Sequence, residues 1–313
     1  MRPVVASILG GMRSWIDNSE VVREAVGGRP HWARIAPFLF LHLGCLGVIW
    51  VGWSPFALAF AVGFYMLRIV FLTGFYHRYF SHRAFAASRG VQFAMALLGN
   101  AAVQRGPLWW SAHHRHHHRT SDHEGDPHSP HMTGLLWSHL GWLTDPRNFP
   151  TDLSRVPDLA RYPELRWLDR HDTLVPAVVA AGTFGLGELL RLAAPGLGTS
   201  GWQMLIWGFF VSTVILLHVS CLVNSLAHCV GSRPFDTTDH SRNSLIIALL
   251  TMGEGWHNNH HRYPGSARQG FRRREIDVTY YFLKLLSWLR VIRDLHPVPE
   301  HVLESRRERA AQA

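Results

Sequence analysis

The chain has 313 residues, 47% hydrophobic and only 17% charged, with a net charge of +9 and a mean hydropathy of +0.01. That near-zero average hides segregation into apolar and polar blocks, so the basic balance points to anionic lipid, and no nucleic-acid motif is present. Three cysteines, Cys45, Cys221 and Cys229, form no CxxC, which argues against a disulfide framework or thiolate zinc site and leaves structural thiols.

Residues 1–34 lack the compact apolar core and small-residue cleavage site of a signal peptide and are expected to be a cytoplasmic N-terminal segment. A bilayer-spanning helix needs about 20 mostly apolar residues. Stretches 35–53 and 56–76 fit, and the short Ser54-Pro55 link between them predicts a transmembrane hairpin over 35–76. Inside it, His42 reads as a packed, hydrogen-bonded residue and Arg68 as snorkelling or facing protein. Residues 77–172 form a polar region whose apolar stretch 91–103 is too short to span. Stretches 173–190 and 202–223, separated by a Pro-Gly-rich turn, predict a second hairpin over 173–223. A second polar region covers 224–298, with a short apolar stretch at 244–252, and residues 299–313 form a tail.

The loops within each hairpin carry almost no charge, while arginine fills the N-terminal segment, the central region and the tail. The positive-inside rule therefore puts both termini and the central region in the cytoplasm. Arg272 to Arg274 and Arg306 to Arg309 read as lipid-facing or solvated charge. One lysine beside 30 arginines suits a GC-rich genome, so the expected location is a bacterial inner membrane. The expected fold is an all-α integral membrane protein: four transmembrane helices in two hairpins, with a cytoplasmic helical domain.

Three histidine clusters follow the apolar stretches: His77-Arg-Tyr-Phe-Ser-His82, His114-Arg-His-His117-His118 and His257-Asn-Asn-His260-His261. In an α-helix, residues at i, i+3 and i+4 share a face, so the second and third clusters are each expected to present three imidazoles to one point. His77 and His82 are five apart and diverge on a straight α-helix, so they serve different metals or the helix ends between them. Asn224 and His228 form a fourth element on one face. Imidazole suits iron, zinc, copper and nickel. No HExxH of a zinc protease occurs, and Glu254-Gly-Trp-His257 is the only Glu-x-x-His, so a mainly histidine shell is expected with Glu254 behind it. Asp122, Asp126 and Asp145 are candidates to orient ligand imidazoles, with turn chemistry as the alternative. His113, His116, His123 and His128 read as solvated, with a supporting place behind the ligand histidines as the alternative.

The ordered set HxxxxH, HxxHH, NSxAH and HNxHH, with Ser138-His-Leu-Gly-Trp142 and Glu275-Ile-Asp-Val-Thr-Tyr-Tyr281, resembles the membrane-bound fatty acid desaturase family of the stearoyl-CoA (Δ9) type over residues 35–298. The resemblance implies a non-haem centre of two Fe ions held by His77, His82, His114, His117, His118, His228, His257, His260 and His261, with Asn224 reaching one through water. It implies O2-dependent removal of two hydrogens from adjacent carbons of a long-chain acyl group, leaving a cis double bond. Electrons must come from outside, from ferredoxin, rubredoxin or a cytochrome b5-like protein with its reductase. Position matching also implies an acyl tunnel shaped by Trp110 and Ser220 and closed by Tyr65. The acyl-CoA enzymes of animals carry Arg-Asp where this chain has Ala112 and His113, and Arg-Lys where it has Pro146 and Arg147. The acyl carrier is therefore open among CoA, phospholipid and acyl carrier protein. The rival readings are a membrane di-iron hydroxylase or alkane monooxygenase, and a histidine-rich metal transporter; the last would need polar groups lining its spans.

Overall fold

The computed structural model describes residues 16–18 and 32–305, and the chain over these is mostly helical. Residues 306–309, read as solvated or lipid-facing arginine, and most of 1–34 lie outside them. α1 (Trp32–Gly44) passes through a 3-10 turn (Cys45–Gly47) into α2 (Val48–Val51). Gly52 then takes φ +62°, ψ −149°, a conformation that suits only glycine. Ser54 accepts the Ala57 amide at 3.1 Å and Pro55 sits in the first helical turn, where its missing N–H costs nothing. This capped reversal is the link expected between the first two apolar stretches.

α3 (Pro55–Phe71) continues without a break into a π-helical stretch, Leu72–Ser81. Together they form one of three helices long and apolar enough to cross a membrane: Pro55–Ser81, Leu174–Ala193 and Gly201–His228. Ile35–Val51 is apolar but shorter, so three spans meet the length requirement where four were expected. Two glycines let the rods approach closely. A Cβ on Gly44 would lie 2.2 Å from the Phe210 ring, and one on Gly208 would lie 2.7 Å from Phe60. Arg68 is fully buried, and its guanidinium donates to Thr213 Oγ1 at 2.8 Å, Ser212 Oγ at 2.5 Å and the Ala101 carbonyl at 3.3 Å. It faces protein and does not snorkel.

Further α-helices of six residues or more follow in chain order. They are α4 (Arg89–Asn100), α5 (Pro107–Thr120), α6 (Pro163–Arg170), α7 (Leu174–Ala193), α8 (Ser212–Asn224), α9 (Leu245–Leu250), α10 (His257–Arg262) and α11 (Val278–Trp288). Stretch 91–103 is thus mostly helix α4, packed with α3 in a core that includes Tyr76, Phe80, Met95, Leu108, Leu165 and Leu283. Asp169 of α6 caps α5 from outside, accepting the amides of Leu108 at 3.0 Å and Trp109 at 2.8 Å. A short antiparallel pair, β1 (Ala86–Ala87) with β2 (Ile292–Arg293), ties the C-terminal segment to the loop after His82. α9 and α11 keep exposed apolar side chains, among them Ile246, Leu249, Tyr281, Leu285 and Trp288, as helices at a membrane interface do.

Candidate metal centre

The spacing of His77 and His82 is resolved by the π-helical stretch. Its hydrogen bonds run from residue i to i+5, and the His82 amide donates to the His77 carbonyl at 3.3 Å. Residues five apart therefore share a face, and the two imidazole centroids lie 4.9 Å apart. Both rings join one group with His114, His118 and His260, and a second group gathers His117, His228, His257 and His261.

Each HxxHH cluster is therefore split between two points and does not aim at one. On an α-helix a residue and its i+4 neighbour diverge by roughly 40°, whereas i+3 lies on the other side by roughly 60°. His114 and His118 of α5 stay together while His117 crosses to the second group. On α10 the roles exchange: His257 and His261 serve the second group and His260 the first. The groups adjoin where His118 stacks on His261 at 4.4 Å.

The rings fit a metal better than they fit one another. In the first group, Nε2 atoms lie 2.7 Å apart for His82 and His114, 3.0 Å for His77 and His260, and 2.9 Å for His118 and His260. In the second, His228 and His257 meet at 3.0 Å. Four of the rings must carry their proton on the far nitrogen. Nδ1–H of His117 donates to Asp126 at 3.1 Å, that of His228 to Asp122 at 2.7 Å and that of His261 to Asp239 at 2.6 Å, and His77 faces Glu254. Their Nε2 atoms are then bare lone pairs aimed into the cluster, and that of His261 is buried without any hydrogen-bond partner. A cation between them turns this repulsion into coordination.

Burial holds His82, His114, His118, His257 and His260 well below the ordinary imidazole value, and neighbouring imidazoles push the same way. These rings are neutral bases, the form that binds metal. Burial alone would raise the carboxylates behind the rings. Hydrogen bonds and charge from His228, His117 and His261 instead hold Asp122, Asp126 and Asp239 well below the usual range. For Glu254, burial is outweighed by His77 and Arg78, which bring it to about 2.

Of the expected orienting residues, Asp122, Asp126 and Glu254 stand behind ligand-type histidines. Asp145 does not: it pairs with Arg147 at 2.6 Å and caps the next turn. Asp239 was missed, because nothing in Thr-Thr-Asp-His distinguishes it from a surface loop until the chain folds it against His261. Gln269 was missed too; its amide donates to Glu254 at 2.9 Å beside His77. Asn224 is half-buried at the end of α8, its carbonyl accepting from Ser138 Oγ at 2.8 Å. His123 is exposed as expected and His116 is half-buried, but His113 and His128 are buried against Trp109 and Trp142. His42 is hydrogen-bonded as expected, to the Phe38 carbonyl at 2.8 Å and to His218 at 3.1 Å.

Trp110 stacks on His114, with ring centroids 4.9 Å apart and planes 23° apart. Ser220 accepts a 2.6 Å hydrogen bond from Gln104, a residue that the sequence reading passed over. Tyr65 lies farther down α3 and donates to the Leu250 carbonyl at 2.5 Å. The three cysteines are free thiols.

Comparison with known proteins adds an independent line. The model of the family described as fatty acid desaturase matches residues 30–288. An sn-2 palmitoyl-lipid 9-desaturase of Nostoc sp. is 36% identical over 264 residues, covering 82% of this chain and 87% of the relative. An sn-1 stearoyl-lipid 9-desaturase of Synechocystis sp. is 33% identical, with coverage of 88% and 84%. An acyl-CoA C20 Delta5-desaturase of Anemone leveillei is 35% identical, with coverage of 87% and 85%.

Proposed function

The chain belongs to the fatty acid desaturase family, an oxidoreductase acting on fatty acyl groups, and from that premise we propose that it forms a cis double bond at Δ9 of a saturated, lipid-linked long-chain acyl group. The observation that carries the proposal is the convergence of nine imidazoles into two adjoining buried groups beside Trp110. His77, His82, His114, His118 and His260 hold one iron ion. His117, His228, His257 and His261 would hold the other, and Asn224 would reach one of the two through water. The iron pair, when bound, supplies O2 activation and the abstraction of hydrogen from an unactivated methylene, which acid–base side chains cannot do.

The protein's own residues position and enclose. Trp110 forms a flat wall between the centre and the acyl chain, the Gln104–Ser220 bond fixes a bend, and Tyr65 closes the far end. Apolar walls exclude water, which keeps the oxidant for the substrate carbons. Two electrons enter from a ferredoxin, a rubredoxin or a cytochrome b5-like donor with its reductase. With two protons they balance the conversion of O2 and two C–H hydrogens into two waters.

Glycerolipid is favoured over CoA as the carrier. Ala112 and His113, where the animal acyl-CoA enzymes bear charge, are both buried, and His113 packs between Trp109 and Trp142. Arg147 is engaged by Asp145. Two of the three relatives above are named for lipid-linked substrates. Ile35–Val51 completes the first hairpin as a fourth span, thinning the bilayer locally. The arginine-rich regions and the centre then face the cytoplasm of a bacterial inner membrane, in the order of segments set out above.

The test is expression in a host lacking unsaturated fatty acids, beside His117→Ala, with lipids separated by class and double bonds localised by mass spectrometry. A His117-dependent Δ9 cis monoene, appearing first in glycerolipid, is expected. Hydroxylated products would replace the proposal with the hydroxylase reading. Product appearing first in the acyl-CoA pool would overturn the carrier.

A further inference from the structure

We propose that the two halves of the histidine centre are unequal in charge, and that the four-histidine half, backed by Asp122, Asp126 and Asp239, holds the ion that is harder to reduce. This rests on the two-iron reading above and concerns which residues of this chain set the difference.

Three of the four rings in that half have a carboxylate on their far nitrogen. The side chains of Asp122, Asp126 and Asp239 are 1%, 0% and 6% exposed. Each is held by further neutral donors. Asp122 accepts from Ser129 Oγ at 2.6 Å and the His240 amide at 2.8 Å. Asp126 accepts the amides of Asp122 at 2.9 Å and His128 at 3.1 Å. Asp239 accepts from Thr237 Oγ1 at 2.9 Å and the Ser241 amide at 3.0 Å. Among the described residues no arginine or lysine forms a salt bridge with any of the three carboxylates; Arg233 donates to the Asp239 main-chain carbonyl at 2.6 Å and not to its side chain. Their negative charge therefore reaches the rings with no arginine or lysine paired to the carboxylates, in a setting that water does not screen.

The five-histidine half is built differently. Glu254 behind His77 is its only such carboxylate among the described residues. Glu254 is itself paired at 2.9 Å with Arg78, whose side chain is 1% exposed. No carboxylate faces His82, His114, His118 or His260 among the described residues. This half thus has one more neutral donor and far less negative charge behind its donors. A carboxylate on the far nitrogen makes an imidazole a stronger donor and favours the more highly charged ion. An extra neutral imidazole steadies both charge states with less preference. The ferric form is accordingly favoured on the side of Asp122, Asp126 and Asp239, and a single added electron settles on the other side.

The experiment uses the full chain in detergent, loaded with iron-57 and titrated with dithionite, which reduces one ferric ion per electron with no atom transferred. Mössbauer spectra follow each step, and metal analysis counts the irons. Two one-electron steps are expected. Asp239→Asn and Asp126→Asn should each raise the lower-potential step, by about 59 mV for every tenfold change in the preference for ferric over ferrous ion. Glu254→Gln should leave that step in place. If Asp239→Asn sheds one iron, the ion left behind should titrate at the upper potential. An unmoved lower step in both aspartate variants, or a lower step that answers to Glu254→Gln, overturns the inference. A native protein that binds no iron overturns the two-iron reading and this inference with it.

Discussion

Replacing Arg78 by methionine removes the one cation from a buried trio. The guanidinium donates to Glu254 at 2.9 Å, to Asp277 at 3.1 Å and to the Ala267 carbonyl at 2.8 Å. The Arg78, Glu254 and Asp277 side chains are 1%, 5% and 0% exposed, so the variant strands two carboxylates away from water. Breaking a buried pair in this way costs about 3–5 kcal/mol. The Arg89–Glu164 pair is the internal control, because the Arg89 side chain is 63% exposed and such surface pairs contribute about 0–1 kcal/mol. At roughly 2–4 °C per kcal/mol, Arg78→Met should lower the unfolding temperature by about 6–20 °C, and Arg89→Ala hardly at all. The assay is thermal unfolding in detergent at a fixed scan rate, which keeps irreversible unfolding comparable between variants. Adding Glu254→Gln to Arg78→Met should recover part of the loss by removing one stranded charge. The pH dependence has a defined sign. Glu254 is lowered from 4.5 to about 2, so its contribution is present above about pH 4.5 and lost as pH falls through about 2. Without Arg78 that loss should move to higher pH. An Arg78→Met protein no less stable than Arg89→Ala would refute the account of this cluster.

Two further perturbations separate positioning from scaffolding. Trp110→Ala removes the ring stacked on His114, and product formed per bound iron should fall at least about tenfold with iron content unchanged; a fall that only tracks lost iron would make Trp110 a support for the helix. Asp169→Ala removes the outside cap of α5 and should cost about 1–2 kcal/mol in thermal unfolding, a loss that Asp169→Asn should largely avoid at neutral pH. Burial raises the Asp169 carboxyl from 3.8 to about 6 against its hydrogen bonds, so the folded chain holds this proton more tightly than the unfolded one. Its contribution is full below about pH 4 and is lost as pH rises through about 6, and Asp169→Asn should flatten that slope.

Much of the site was legible because its residues are chemically rare and locally spaced. An imidazole at i, i+3 and i+4 announces a shared helix face whatever the helix later packs against. The apolar blocks likewise announced membrane helices, although the break at Cys45–Gly47 leaves Ile35–Val51 short of a full span. Carboxylates are harder to read. Asp122 and Asp126 stood near a histidine cluster in sequence, whereas Asp239 meets His261 across 22 residues and Asp145, in a similar Asp-Pro setting, meets only Arg147. Burial of His113 and His128 was also out of reach, since it depends on Trp142 arriving from a different segment.

By itself the sequence determined that nine histidines would gather beside an apolar helical bundle, because periodicity, charge bias and motif order are local properties of the chain. Tertiary structure alone decided how those histidines divide. A π-helical turn brought His77 and His82 onto one face, and the packing of α5 beside α10 sent His117 and His260 across to opposite groups. The division depends on helix pitch and on the angle at which two helices meet. Both are set by packing between segments far apart in the chain, which no local spacing encodes.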